Sequence, residues 1–140
     1  MASSSPRAPM VITHEGGMKF AAQIRGHRVM VDQPSGVGED SAPMPIELLG
    51  AALGTCIGLY VQQFCQVRNL PYEGMRVELQ QHGAQSPNRI GRFEVRVVMP
   101  EALPPQYAEM LERVARSCPA HNTFEHGAEV GVHIEMPVAA

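Results

Sequence analysis

Two cysteines stand in unlike settings in this chain. Cys56 lies inside the apolar run Pro45-Ile-Glu-Leu-Leu-Gly-Ala-Ala-Leu-Gly-Thr-Cys-Ile-Gly-Leu-Tyr60, and Cys118 lies in Ser117-Cys-Pro-Ala-His-Asn122. A thiol attacks a peroxide as its thiolate and becomes a sulfenic acid, which a second thiol converts to a disulfide. Two cysteines that meet would therefore suffice for a redox cycle. A buried apolar setting by itself leaves a thiol inert, so Cys56 needs a nearby cation if it is the nucleophile. Pro119 suits the first position of a short helix running to about Glu125, which makes Cys118 its cap, and a helix N-terminus favours thiolate. The plainer reading of a lone buried cysteine is packing.

The remaining chemistry-bearing side chains fall around these two. Cys65 lies nine residues beyond Cys56, about 180° round a helix, so the pair cannot form a disulfide there and Cys65 reads as a packing residue. His121 follows Cys118 by three residues and can share its helix face, so Cys56, Cys118 and His121 together would make a three-ligand metal arrangement. No CxxC or HxxxH spacing supports that arrangement, and a hydrogen-bonded structural His121 is the simpler reading. His82, His126 and His133 read as surface or strand residues. Glu47 is placed to complement the positive end of a helix dipole. Arg25 and Arg28 fall in an N-terminal strand region, where alternation gives them opposite faces. Glu39 and Asp40 read as solvated loop residues.

Elements of several kinds must hold these groups. Val11 to His14, Met18 to Arg25 and His27 to Asp32 read as short strands of an antiparallel meander, separated by Gly16-Gly17 and Gly26-His27. Gln33 to Pro43 is rich in turn formers and reads as a loop. From Pro45 to about Arg68 the pattern is helical, apolar on nearly every side in its first half, which predicts a helix buried all round. Gly50, Gly54 and Gly58 form a stripe along it where a second backbone could approach, either a dimer partner's helix or the chain's own sheet, and the spacing does not choose between them. Met75 to Gln81 and Arg92 to Met99 alternate as half-buried strands. Pro104 to Arg116 reads as an amphipathic helix with Tyr107, Met110, Leu111 and Val114 inward, and Glu129 to Met136 as a last strand. The order predicts an α+β fold with helices against antiparallel sheet.

Composition narrows the function. The chain has 140 residues, 44% of them apolar and 18% charged, and is expected to form one domain over residues 11–136 between a flexible start (1–10) and a short tail (137–140). A net charge of -3 and a single lysine, Lys19, offer no footprint for nucleic acid. No signal-peptide core and no run of the ~20 apolar residues of a membrane span is expected, so no membrane partner is expected and a cytoplasmic location is. Three cysteines argue against a secreted disulfide framework. No glycine-rich phosphate loop implies a nucleotide or flavin, and no cofactor is expected.

The run Gly38-Glu-Asp-Ser-Ala-Pro-Met-Pro-Ile-Glu-Leu-Leu-Gly-Ala-Ala-Leu-Gly-Thr-Cys56, followed at the right separation by Cys118-Pro-Ala-His-Asn122, resembles the two motifs of the OsmC/Ohr family of thiol-dependent hydroperoxide reductases. The resemblance extends over about residues 11 to 136. It implies an OsmC-like α+β fold, antiparallel sheets around a long central helix, in an intertwined homodimer whose central helices meet. It also implies that Cys56 is the peroxidatic thiol and Cys118 the resolving thiol, with a dithiol such as a dihydrolipoyl group as reductant. Arg25, Arg28, Glu47 and His121 are the candidate supporting residues. The family's glutamate falls ten residues before the nucleophile, where this chain has Ile46; Glu47 is nine before. That departure places the chain in a general OsmC-like branch, and keeps a non-catalytic ligand- or metal-binding protein on the same fold as the competing expectation.

Overall fold

The computed structural model describes residues 6–139, so the first five residues of the expected flexible start, and Ala140 at the end of the expected tail, lie outside the described residues. The chain divides after Ala51 into two compact units, and α1 (Pro45–Val67) runs through the division.

In the N-terminal unit, β1 (Val11–His14), β2 (Phe20–Ile24) and β3 (His27–Val31) form the expected antiparallel meander. Its register pairs Thr13 with Ala21 and Ala21 with Met30, and Ala21 is its buried apolar residue. Gly16 and Gly17 both take positive φ in the first turn, a conformation that costs glycine little.

Behind β3, the loop of residues 33–43 is organised by one carboxylate. Asp32, only 1% exposed, accepts hydrogen bonds from the backbone N–H groups of Gln33 (2.7 Å), Ser41 (3.0 Å) and Glu39 (3.3 Å), and from the Ser41 hydroxyl (2.7 Å). A Cβ on Gly38 would collide with Asp32 Oδ1 and stand 2.7 Å from the Gln33 carbonyl oxygen, so only glycine fits there. These bonds, the Ser41 hydroxyl's foremost, hold the Asp32 carboxyl at about 2, below its ordinary 3.8. The unfolded chain therefore takes up the proton first, and the clamp's stabilisation is complete above about pH 4 and lost as pH falls through about 2. Asp32→Asn is expected to melt several degrees below the wild type near neutral pH, the gap closing between pH 4 and 2. Parallel melting curves across that range would show that Asp32 holds nothing. Lys19 pairs with Glu39 of the same loop at 2.6 Å, which raises the lysine's pKa.

In the C-terminal unit, α1 continues against a hairpin of β4 (Arg76–Ala84) and β5 (Arg89–Val98), followed by α2 (Gln106–Ala115) and α3 (Pro119–His126). The core is a line of α1 side chains four residues apart, Leu53, Ile57, Val61 and Cys65, together with Cys118. Tyr107, Met110, Leu111 and Val114 are half-buried positions of α2, as its periodicity predicts, and Ala115 joins them at its end. α1 ends where Asn69 adopts φ 53° and the Leu70 N–H turns back to the Cys65 carbonyl at 2.9 Å.

Three expectations need correction, and the glycine stripe finds a neighbour within the chain. The Gly54 and Gly58 positions face the chain's own hairpin: a Cβ at Gly54 would lie 3.7 Å from Val77 and Leu79, and one at Gly58 3.4 Å from Val77. The small residues thus seat β4 on the helix, and no second helix is needed to explain them. Nor is α1 buried all round, since Leu59 is 57% exposed and Val67 80%. It is also long and apolar enough, with a mean hydropathy of 1.4, to cross a membrane by length and composition, which the expectation of no such segment missed; its buried residues recur like those of a core helix. Finally, residues 129–136 form no strand. Val130, Val132 and Ile134 alternate as expected but are 83%, 80% and 73% exposed, because no neighbouring strand supplies a ladder.

Candidate active site

The site is built where α3 begins. Cys118 is its N-cap, in extended conformation (φ -69°, ψ 148°), and Pro119 opens the helix as its position favours. The His121 N–H donates to Cys118 Sγ at 3.3 Å, and the Ala120 N–H points the same way. The Asn122 side chain donates to the Ser117 carbonyl at 3.3 Å and fixes the turn before the cap.

Cys56 reaches this point from the middle of α1. Its side chain packs against the buried cluster that contains Cys118, and its thiol is near enough to influence the Cys118 thiol, so the two sulfurs singled out in the sequence share one neighbourhood. Both are free thiols; Cys118 is 0% exposed, while Cys56 is half-buried. Burial is the largest influence on Cys118 and raises its pKa; the His121 N–H works against that rise, and Cys56 adds to it. Cys65 lies in the core, its thiol also pushed up by burial with Arg68 opposing, as suits a packing residue.

The supporting candidates fall in different places. His121 Nε2 lies 3.4 Å from Glu125 Oε2, one turn along α3, and Nδ1 is buried with no hydrogen-bond partner. Among the described residues no group of three His, Cys, Asp or Glu side chains is gathered as a metal site would need, so the Cys56, Cys118 and His121 ligand set finds no support. Glu47 accepts from the Met44 N–H at 2.8 Å while its own N–H donates to the Met44 carbonyl at 3.0 Å, a reciprocal cap that ties its carboxylate to the start of α1. Arg28 lies in β3 and pairs with Glu15 at 3.1 Å. Arg25 is not a strand residue: it sits in the β2–β3 turn with φ 55°, so the alternation argument does not apply to it. Glu39 and Asp40 belong to the Asp32-organised loop, Glu39 by its backbone N–H and Asp40 by its N–H to the Gln33 carbonyl.

Sequence reasoning missed a cavity of about 840 Å³ in the C-terminal unit. Its apolar lining comes from α1 (Leu53, Ile57), β5 (Phe93, Val95) and α2 (Leu111), with charged side chains such as Arg96, Glu112 and Arg116 also on it, and α3 borders it with His121 and Phe124. Phe93, Val95 and Leu111 read as inward from periodicity, but a void is what packing leaves over, and no single residue signals it. The volume suits a small apolar ligand. The cavity is bordered by α3, whose cap is Cys118.

A half-buried thiol beside an enclosed one at a helix N-terminus, on an α+β frame, defines a candidate thiol redox protein. Residues 38–133 match the OsmC-like protein family, and the chain belongs to it. No match is found among curated proteins. Solved structures agree on the fold. A Psychrobacter arcticus 273-4 protein provisionally described as an osmotic stress induced and detoxification response protein is 17% identical, with 85% of this chain and 89% of that chain covered and a TM-score of 0.78. The OsmC-like protein of Mycoplasma pneumoniae is 13% identical over 86% and 88%, TM-score 0.72. An organic hydroperoxide resistance protein OsmC of Legionella pneumophila is 18% identical over 86% and 91%, TM-score 0.58.

Proposed function

We propose that the protein is a thiol-dependent peroxidase that reduces organic hydroperoxides. The observation that carries this reading is the packing of Cys56 against the buried cluster that contains Cys118, in a chain of the OsmC-like family. The more accessible sulfur, Cys56, attacks the distal peroxide oxygen, releases the alcohol and becomes a sulfenic acid. Cys118 condenses with it, expelling water and leaving a Cys56–Cys118 disulfide. A dithiol of the dihydrolipoyl type returns both thiols. The apolar cavity behind α3 suits the organic part of such a substrate. The test is one equivalent of cumene hydroperoxide added to reduced protein, with peroxide, free thiols and disulfides followed together. Stoichiometric loss of peroxide with a mapped Cys56–Cys118 disulfide is expected; thiols that stay reduced for many minutes would end the reading.

The same cavity favours a second reading, a protein that binds an apolar ligand without turnover. A ligand that co-purifies with a protein inert to peroxide would select it.

The working unit in this reading is a homodimer, and the protein acts in the reducing cytoplasm. Leu59 and Val67 on α1, and the alternating Val130, Val132 and Ile134, are exposed apolar side chains that a second copy would cover in this reading. Light scattering is expected to give twice the chain mass at micromolar concentration, and removal of residues 128–140 to give the monomer. A full-length monomer would refute the dimer.

A further inference from the structure

We infer that the reductant opens the Cys56–Cys118 disulfide at the Cys56 sulfur, so that the mixed disulfide forms on Cys56 and Cys118 departs. The inference rests on the proposed cycle. The two sulfurs are unequal in the fold: Cys118 is 0% exposed and belongs to the core cluster, while Cys56 is half-buried. Exchange requires a thiolate to reach the sulfur it attacks, so access is the first selector. Cys118 is wrapped by the start of its own helix, where the His121 N–H meets Sγ at 3.3 Å. That donor, with the Ala120 N–H beside it, is also placed to receive the charge of the departing Cys118 sulfur. Burial works against a Cys118 thiolate, but a leaving-group disadvantage only slows exchange, whereas an enclosed sulfur cannot be approached.

The chemistry closes in two steps. A reductant thiolate bonds to Cys56 Sγ as the Cys56–Cys118 bond breaks, the electron pair going to Cys118, which then takes up a proton. The reductant's second thiolate attacks its own sulfur in the mixed disulfide, closes a cyclic disulfide and expels Cys56 as thiolate. The dithiol loses two electrons and the protein gains two.

The test uses 2-mercaptoethanol, a monothiol that cannot complete the second step. The protein is oxidised with diamide, which makes the disulfide whether or not the chain turns over peroxide. After a limiting pulse of 2-mercaptoethanol, acid quench and alkylation with N-ethylmaleimide, peptides are mapped by mass spectrometry. The expected product carries 2-mercaptoethanol on Cys56 and N-ethylmaleimide on Cys118, exceeding the reverse product by at least about tenfold. In urea, where both sulfurs are reachable, the bias is expected to collapse. The reverse product, an even mixture in the folded protein, a bias that persists in urea, or no Cys56–Cys118 disulfide with diamide would each overturn the inference. A disulfide that diamide makes and cumene hydroperoxide does not would instead sink the peroxidase reading.

Discussion

Cys56→Ser is expected to bring peroxide consumption down to the uncatalysed background, a fall of about three orders of magnitude or more, because a hydroxyl in place of the thiol removes the nucleophile itself. Cys118→Ser should behave differently. It keeps the attacking sulfur, so one equivalent of peroxide is still consumed, but the sulfenic acid has no neighbour to condense with and persists or oxidises further. Intact-mass spectrometry after one equivalent of cumene hydroperoxide separates these results. The double expectation fails if Cys56→Ser still turns over, or if both serine variants lose the first equivalent alike, which would make Cys118 as necessary for attack as Cys56. Because Cys56 is half-buried and Cys118 enclosed, that failure would also mean that access does not choose the nucleophile.

Ile57→Ala is expected to lower stability by about 2–3 kcal/mol, towards the lower end of the usual cost of truncating a buried isoleucine. Ile57 is 4% exposed and sits in the line of α1 residues that forms the core, so its loss removes buried apolar contact. It also lines the cavity, and a side chain bordering a void has fewer neighbours to lose on that side, which argues against the upper end of the range. Against a total stability of about 5–15 kcal/mol for a domain, the loss is large enough to read from a urea midpoint without extrapolation doubt. A change below about 1 kcal/mol would mean that this face of α1 is not buried in solution.

The regular elements were legible because each carries its own local signal. Period-two alternation located β4 and β5, a period of 3.6 located α2 and its inward face, and Pro119 marked both the start of α3 and the capping role of Cys118. What failed depended on partners. Val130, Val132 and Ile134 have the alternation of a strand, but a strand exists only beside another, and alternation does not say whether one is present. The glycines of α1 show that some backbone or side chain comes close, without showing that it is Val77 and Leu79 of β4. Asp32, the most heavily hydrogen-bonded carboxylate of the N-terminal unit, drew no notice as a clamp, because its donors, three backbone N–H groups and the Ser41 hydroxyl, are spread over nine residues of apparently featureless loop. The meeting of Cys56 with Cys118 is a long-range fact of the same kind, legible only through the family resemblance.

The seating of Gly54 and Gly58 on β4 divides the work of disulfide formation unevenly. Two neighbouring free thiols must close to about 2.05 Å to form a disulfide, so one backbone or the other has to yield. The turn of α1 that carries Cys56 lies between two glycines where an added methyl group would already touch Val77 or Leu79, so this stretch of helix is seated closely on β4. Cys118 heads a helix of only eight residues that ends at Gly127, where φ is 76°. The long helix is therefore the fixed post of the redox cycle, and the short one the part that travels, so oxidation should be felt most in the residues between Ser117 and Gly127.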